Sequence, residues 1–595
     1  TAPTVIYTLS LHDALPIYVT LPMDDRTIVG FITRIGRQDA TTSDIEPEMI
    51  MSVQLLGTIK DHRFSRGVNE YPVPGDDVWV AIQKDFETIF GSFDQLLSGT
   101  DHPISFPLGR FALNPDFKVN VLGKEFFSKH CAVMVNSGSG KSVTTAKIVS
   151  ETVKLDSAQV VMFDMHGEYA AAFSDESGTP DDNVIYLSDK DLVLPYWMLR
   201  YEELESLFVD KSDSKLVSSQ ISFLKLALHR LKAAAAVQLG IHNVYSLDTP
   251  IYFSLETFLA AANNFNEARF VTNTDKYAFA RLAQRGLESD EQEALMWSKR
   301  CAFNRGNAEG ETPHPHFNGK ILGMINQIET RLNDRRFDFL LQPMKQAATS
   351  PFFGQAIQPS LGPGDLSNAA GHLVRLLTGR LPDKKANLVI IDLSGIPFEV
   401  VDIVVAVVTR LLFDFNFWCP REQRHPIVMV YEEAHNYIPQ RELAVNFARK
   451  AVERVAKEGR KYGVSAMIVS QRPSELSETV LAQCNNMVVM RMNNPDDQNY
   501  ITHVVSDQFA GVISMLPILR PGEGFVIGDS VLMPLRTLVD KPARMPRSGD
   551  VDFFKHWSGQ MPACDVEQVL KAWWKQQRDS GGPPAPAAAD RKSVV

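Results

Sequence analysis

The stretch Asn136-Ser137-Gly138-Ser139-Gly140-Lys141-Ser142 constrains this chain more than any other. It follows an apolar run, Ala132-Val133-Met134-Val135, and leads through Val143 into a helix-forming segment. Glycines let backbone N–H groups curl round phosphate oxygens, and the start of a helix adds positive potential. A lysine there neutralises β- and γ-phosphate charge, and a serine hydroxyl can ligate Mg²⁺. Asn136, Ser137, Gly138, Ser139, Gly140, Lys141, Ser142 and Val143 are therefore the candidate nucleotide-binding residues, with Ser142 also a candidate metal ligand. The fit to G-x-x-x-x-G-K-S is incomplete, because Val135 stands at the first glycine position. A Gly/Ser surface turn is the plain alternative; the strand–loop–helix setting favours a phosphate loop.

Such a loop needs a sheet behind it, and the chain supplies the strands. Val160-Val161-Met162-Phe163, Leu388-Val389-Ile390-Ile391, Ile427-Val428-Met429-Val430-Tyr431, Ser465 to Ser470 and Met487-Val488-Val489-Met490 are apolar runs of buried-strand type separated by helical stretches, the texture of parallel α/β structure. Ahead of them, Ile28 to Ile32, Ile50 to Leu56 and Val78 to Ile82 are short β-rich runs between turn residues, which suggest a small barrel or sandwich. Between 194 and 386 the strand signal fades. Tyr201 to Lys232, Glu267 to Arg300 and Ile321 to Asp338 read as helical, giving a mostly helical insertion. The expected organisation is an N-terminal β-barrel (18–106), an α/β core in two parts (107–193 and 387–545) split by the insertion (194–386), and a C-terminal helix with a Gly/Pro/Ala-rich tail (546–589).

At 595 residues with 44% hydrophobic side chains the chain can bury large cores, which excludes wholesale disorder. The five cysteines are scattered with no C-x-x-C pair, so a disulfide scaffold or zinc ribbon is not expected and a reducing, cytoplasmic setting fits. A net charge of −11 argues against a wholly basic surface but leaves room for a local basic channel. The most apolar stretch, Phe398 to Trp418, is broken by Glu399, Asp402, Arg410 and Asp414, so no membrane span is expected. Residues 1–17 and 590–595 resemble translated sequencing-adapter oligonucleotide and are set aside, with Met23 as a candidate native start.

Hydrolysis of a bound triphosphate needs one acid near the Mg²⁺ shell and another to orient or deprotonate water. Glu432 and Glu433 leave the end of an apolar strand together, with Glu432 the metal-side acid and Glu433 the base; a solvated acidic loop would look similar. Asp164 also ends a strand, where parallel sheets bind ligands, and could support the water or the metal. For His166 and Glu168 a turn role is at least as good. Ala448 to Gly463 carries Arg449, Lys450, Arg454, Lys457, Arg460 and Lys461 against two acids. Three readings stand for it: an arginine reaching a neighbouring subunit's nucleotide, contact with nucleic-acid phosphates, or a solvated helix face. Gln471, beyond another strand end, is placed to sense a γ-phosphate.

In order, Tyr71-Pro72-Val73-Pro74-Gly75, Lys129-His130, Gly138 to Ser142, Asp164-Met165-His166-Gly167-Glu168-Tyr169, Asp392-Leu393-Ser394, Glu432-Glu433-Ala434-His435-Asn436, Glu458 to Gly463 and Ser470-Gln471-Arg472-Pro473-Ser474 resemble the landmarks of the HerA group of FtsK–HerA P-loop ATPases. The resemblance runs from about Thr27 to Thr537. It implies a RecA-like P-loop NTPase core, Mg²⁺ and ATP as cofactors, a homo-hexameric ring and movement along double-stranded DNA. It also makes Arg460 the trans-acting finger and Gln471 the sensor. Lys129 stands where many relatives carry arginine, and Val135 where they carry a small or polar residue. The group's partners include NurA-like nucleases and sirtuin-like effectors, in DNA-end processing or anti-phage defence. An ATP-gated assembly platform and a conjugation-type coupling ATPase are the alternative functions.

Overall fold

The computed structural model of the chain describes residues 18–37, 49–73, 75–97, 104–136, 138–242, 246–304, 310–354, 356–358, 360–441, 446–504, 510–549, 552–559 and 564–574. Ser137, Pro74, the two adapter-like ends and most of the Gly/Pro/Ala-rich tail lie outside these residues.

The first unit is an antiparallel sheet of β1 (Tyr18–Pro22), β2 (Thr27–Arg37), β3 (Met49–Lys60), β4 (Arg63–Arg66) and β5 (Trp79–Val80), in the order β4-β3-β2-β1-β5. Alternation explains how it packs on both faces. Tyr18, Val29 and Phe31 point into the large core shared with the rest of the molecule, whereas Val19, Leu21, Ile28 and Ile32 make a separate small core. The strand expected over Val78 to Ile82 is only Trp79–Val80, because a helix, Gln83–Leu97, starts directly after it and the Asp85 carboxylate accepts the Ile82 N–H at 2.9 Å.

Among the described residues the main sheet has eleven strands. Its leading strands are β6 (Ser105–Phe111), β7 (Lys118–Leu122), β8 (Cys131–Met134), β9 (Val160–Asp164) and β10 (Val184–Leu187). After a separate two-stranded antiparallel sheet of β11 (Arg269–Val271) and β12 (Glu311–Pro313) come β13 (Leu388–Asp392), β14 (Ile427–Tyr431), β15 (Val464–Ser470), β16 (Asn486–Met490), β17 (Glu523–Ile527) and β18 (Leu535–Val539). The order is β10-β13-β9-β14-β15-β8-β16-β17-β18-β6-β7. From β10 to β16 every pairing is parallel; from β16 onward every pairing is antiparallel. Every residue of β8, β9, β15 and β16 is buried, as expected where helices cover both faces. The strand carrying the phosphate loop, β8, lies between β16 and β15, with β14 one strand further. This is the RecA-like order, continued by an antiparallel wing that the apolar-run pattern did not announce.

Helices follow from local signals. Phe447–Tyr462 is capped by Asn446, whose side chain accepts the Arg449 N–H at 2.7 Å, and by Asp402, whose carboxylate accepts the Phe447 and Ala448 N–H groups. It stops at Gly463, left-handed at φ 71°, where a side chain would be strained. The Phe398–Trp418 segment is a largely buried helix, and its Arg410 is neutralised by Glu203 at 3.2 Å rather than exposed to lipid. No helix among the described residues is long and apolar enough to cross a membrane.

The insertion differs from its sequence reading in two places. Tyr201 to Lys232 is two helices, Tyr201–Phe208 and Ser214–Gln238, because Asp213 caps the second by accepting the Lys215 N–H. Glu267 to Arg300 is mostly not helical: it holds β11 and two short helices, Leu282–Arg285 and Ser289–Met296. Its aromatic residues pack on one another beside β11, as Phe270 does on Tyr277 at 5.0 Å.

Gly109 sits where β6 meets β18, and a Cβ there would lie 2.2 Å from the Leu538 carbonyl oxygen. Gly109→Ala should therefore pry the wing apart and cost about 1–3 kcal/mol, the usual penalty of overpacking. Thermal unfolding would show a Tm lowered by several degrees; an unchanged Tm would contradict this account of the wing.

Candidate nucleotide site

The carboxyl ends of the parallel strands converge on one edge of the sheet, and the functional side chains leave from there. After β8, Val135 is still strand-like: its N–H donates to the Ser470 carbonyl at 3.2 Å. That explains how the loop tolerates a valine where a glycine is usual, since no left-handed turn is needed at this position. The turns come later, at Gly138 (φ 72°) and Gly140 (φ 108°), and the Lys141–Thr152 helix begins at once. Its first residues, Lys141 and Ser142, are buried.

Two strand spacings, about 10 Å, separate β8 from β14. Lys141 spans the gap. Its Nζ donates to Glu432 Oε1 and, at 2.6 Å, to Glu433 Oε1. Gln471, just past β15, donates its Nε2 to the same Glu433 oxygen. His435 Nδ1 lies 3.1 Å from Ser470 Oγ and 3.4 Å from Glu433 Oε2. The phosphate-loop lysine, the twin acids and the strand-end glutamine thus form one cluster. Glu432 and Glu433 are 0% and 3% exposed, so they are not a solvated loop. Glu433 adopts φ 48°, a left-handed conformation that costs a non-glycine residue about 1 kcal/mol or more.

Burial sets the electrostatics. It pushes the Glu432 carboxyl up to about 8, against the pull of Lys141 and with the help of Glu433's charge. Burial also works against the charged form of Lys141, but Glu432 and Glu433 outweigh it and raise its pKa, so the ammonium is held charged. The other oxygens of Glu432 and Glu433 are buried without hydrogen-bond partners. Orphaned carboxyl acceptors are hard-oxygen donors of the kind that suits Mg²⁺, and the loop with Lys141 suits a polyphosphate. The residues present fit a Mg-nucleotide.

The remaining sequence candidates are placed differently. Asp164 is fully buried and its oxygens accept the N–H groups of His166 (3.3 Å), Glu168 (3.1 Å) and Tyr169 (2.9 Å). It braces the turn after β9. Burial, with Asp392's charge adding to it, pushes its carboxyl up to about 6 despite those amides. Glu168, for which the sequence favoured a turn role at least as much as a part in the site, accepts the Ser142 hydroxyl at 2.8 Å and so touches the site. Lys129 lies ahead of β8, at the opposite edge of the sheet, and is paired with Asp529 at 2.5 Å.

Arg460 also lies at that opposite edge, four residues before β15 begins, in the wall of a cavity with Ile427, Val464 and Gln159 at the amino ends of their strands. The length of β15 puts it roughly 20 Å from Gln471. It is exposed and has no ion-pair partner among the described residues. The other helix cations are largely spent within the chain. Lys450 lies 3.8 Å from Glu202, Arg454 bonds Asp414 at 3.2 Å and covers the Phe413 ring, and Arg449 and Lys457 flank Glu453. The sequence reading missed Arg491, which bonds the loop through Ser139 Oγ at 3.1 Å. The signal was available: it follows the β16 run just as Glu432 follows β14.

Comparison with known proteins gives these likenesses. Residues 106–330 match the family described as the helicase HerA central domain. The DNA double-strand break repair helicase HerA of Pyrococcus furiosus is 25% identical over 495 residues, covering 82% of this chain and 76% of that protein. The protein of the same description from Sulfurisphaera tokodaii is 22% identical over 568 residues and 91% of each chain. Among solved structures, the conjugative coupling protein TrwB matches 77% of this chain and 93% of its own, at 12% identity and a TM-score of 0.42. The ordered landmarks, the central-domain match and these broad likenesses at 22–25% identity all make the chain similar to the HerA group of the FtsK–HerA P-loop ATPases.

Proposed function

We propose that this protein is a Mg-ATP-dependent translocase or helicase acting on double-stranded DNA, with ATP hydrolysed between the subunits of a homo-hexameric ring. The observation that carries the reading is the cluster of Lys141, Glu432, Glu433 and Gln471 at one strand edge. The DNA substrate follows from the relatives, which are described as double-strand break repair helicases.

Each residue has a task in this scheme. Asn136, Ser137, Gly138, Ser139, Gly140 and Val143, the loop and the start of its helix, direct backbone N–H groups at the phosphates. Lys141 exchanges its carboxylate partners for phosphate oxygens, which frees Glu432 and Glu433. Ser142 and Glu432 would hold Mg²⁺, which supplies charge neutralisation for the phosphates when bound. Glu433 orients the attacking water and accepts its proton as the bond from oxygen to phosphorus forms and the bond to the ADP oxygen breaks. Gln471, already on Glu433, reports which phosphate is present. Arg460 lies too far from its own chain's site to act there, so it serves the site of the neighbouring subunit. Asp164 supports this machinery by holding the turn that carries Glu168 to Ser142. A nuclease of NurA type or a sirtuin-like effector is the proposed partner, in DNA-end processing or anti-phage defence.

Lys141→Ala in purified protein should abolish DNA-stimulated ATP hydrolysis, measured as phosphate release; retained hydrolysis would overturn the site assignment. Arg460→Ala should lower turnover at least 100-fold while nucleotide affinity stays within a few-fold. Rings mixed from Glu433→Gln and Arg460→Ala subunits should recover part of the activity, because some interfaces then pair an intact Glu433 with an intact Arg460. Mixtures no more active than either variant alone would exclude action in trans.

A further inference from the structure

The phosphate loop holds two left-handed glycines, which leave a chain conformationally free unless something outside braces it. The brace is the end of β16. The carbonyl of Arg491 accepts the Asn136 N–H at 3.1 Å, and Arg491 Nε donates to Ser139 Oγ at 3.1 Å, so one residue grips the loop at two points. The Ser139 carbonyl in turn accepts the Gly522 N–H at 3.0 Å, and Gly140 packs close to Met490 and Gly522. Ser139 is fully buried, so its hydroxyl is a fixed point for the guanidinium and not a solvated group.

Lys141 donates to the carboxyl groups of Glu432 and Glu433, whereas Arg491 has no carboxylate within ion-pair distance among the described residues. A guanidinium has five N–H donors, and the contact with Ser139 uses one. Arg491 also faces a cleft of about 430 Å³ that it shares with Asn136, Ser139 and Gln471.

We propose that Arg491 is a positioning residue for the nucleotide: its guanidinium clamps Ser139 and so keeps the loop's amides converged on the phosphates. This rests on the nucleotide-site reading above. It assigns the strand after the loop a part in binding that is separate from the acids on β14 and from Arg460. Lysine cannot replace it, because a single ammonium lacks the planar geometry that aims Nε at Ser139.

The test is equilibrium titration of the full-length protein with mant-ADP and Mg²⁺, with thermal unfolding as a check on folding. Arg491→Ala and Ser139→Ala should each weaken binding about tenfold, as loss of a charge-assisted hydrogen bond would. The double variant should bind no worse than Arg491→Ala alone, and Arg491→Lys should not restore affinity. Binding by Arg491→Ala within threefold of the unmodified protein, while Lys141→Ala loses binding, would overturn the proposal; so would effects of Arg491→Ala and Ser139→Ala that multiply. Should Arg491→Ala fail to fold, Ser139→Ala decides alone, by the same threefold limit. Normal binding by Lys141→Ala would instead refute the nucleotide-site reading itself.

Discussion

One cation between two buried acids organises this molecule. Lys141 is delivered by β8 and its loop, Glu432 and Glu433 by β14, and the contact bridges the strand between them. Three ionisable groups in a water-poor site are costly to desolvate, and removing one partner from such a set commonly costs about 3–5 kcal/mol. The left-handed backbone at Glu433 adds strain that only the surrounding structure can hold. A fold seeking stability alone would fill this space with apolar side chains. The arrangement makes sense where a polyanion competes for the lysine, because phosphate oxygens can replace the carboxylates as its partners and return the acids to other work.

The parallel sheet then separates functions by edge. Loops at the carboxyl ends of β8, β14, β15 and β16 carry Lys141, Glu432, Gln471 and Arg491, whereas the amino ends of the same strands carry Lys129 and Arg460. A single β-strand of seven residues keeps the two groups roughly 20 Å apart. No side-chain rotation closes that distance. The basic helix shows a related economy: Lys450, Arg454 and Lys457 lie near acids of the same chain, which leaves Arg460 and Lys461 at its end as exposed cations without ion-pair partners among the described residues. The sequence pattern of six basic residues therefore overstates what the surface offers to a nucleic acid.

How much of this could be read from the amino acids depends on the kind of signal. The parallel strands were legible because burial on both faces demands unbroken apolar runs, and Leu388 to Ile391 or Met487 to Met490 admit little else. The antiparallel wing was not: β6 contains Pro107 and Gly109, and β18 alternates Leu535, Arg536, Thr537 and Leu538, so neither forms such a run. The stretch from Glu267 to Arg300 misled because short helices and the strand β11, with aromatic residues packed between them, present apolar side chains at spacings a long helix would also use. At the site, residue type at a strand end singled out Lys141, Glu432, Glu433 and Gln471, which the fold brings together. It gave no means to separate Asp164, consumed by its own turn, from Glu168, which reaches Ser142; that distinction depends on the backbone path after β9.

The antiparallel wing also explains how the N-terminal sheet is fixed to the core. Asp529, directly beyond β17, accepts both Lys129 at 2.5 Å and Arg66 at 3.1 Å, and the Arg66 guanidinium also donates to the Gly528 carbonyl at 2.8 Å. One carboxylate thus joins β4 of the first sheet, the approach to β8 and the β17 turn. On the other side Tyr18 donates its hydroxyl to the Pro534 carbonyl at 2.8 Å and packs against Phe86 and Phe111. These ties converge on the segment 528–534, which lies between β17 and β18, and β17 pairs directly with β16. The same short strand therefore meets the first sheet through the wing and meets the phosphate loop through Arg491. β16 thus joins the two regions in the fold: it pairs with β17 of the wing, and Arg491 at its end bonds the phosphate loop.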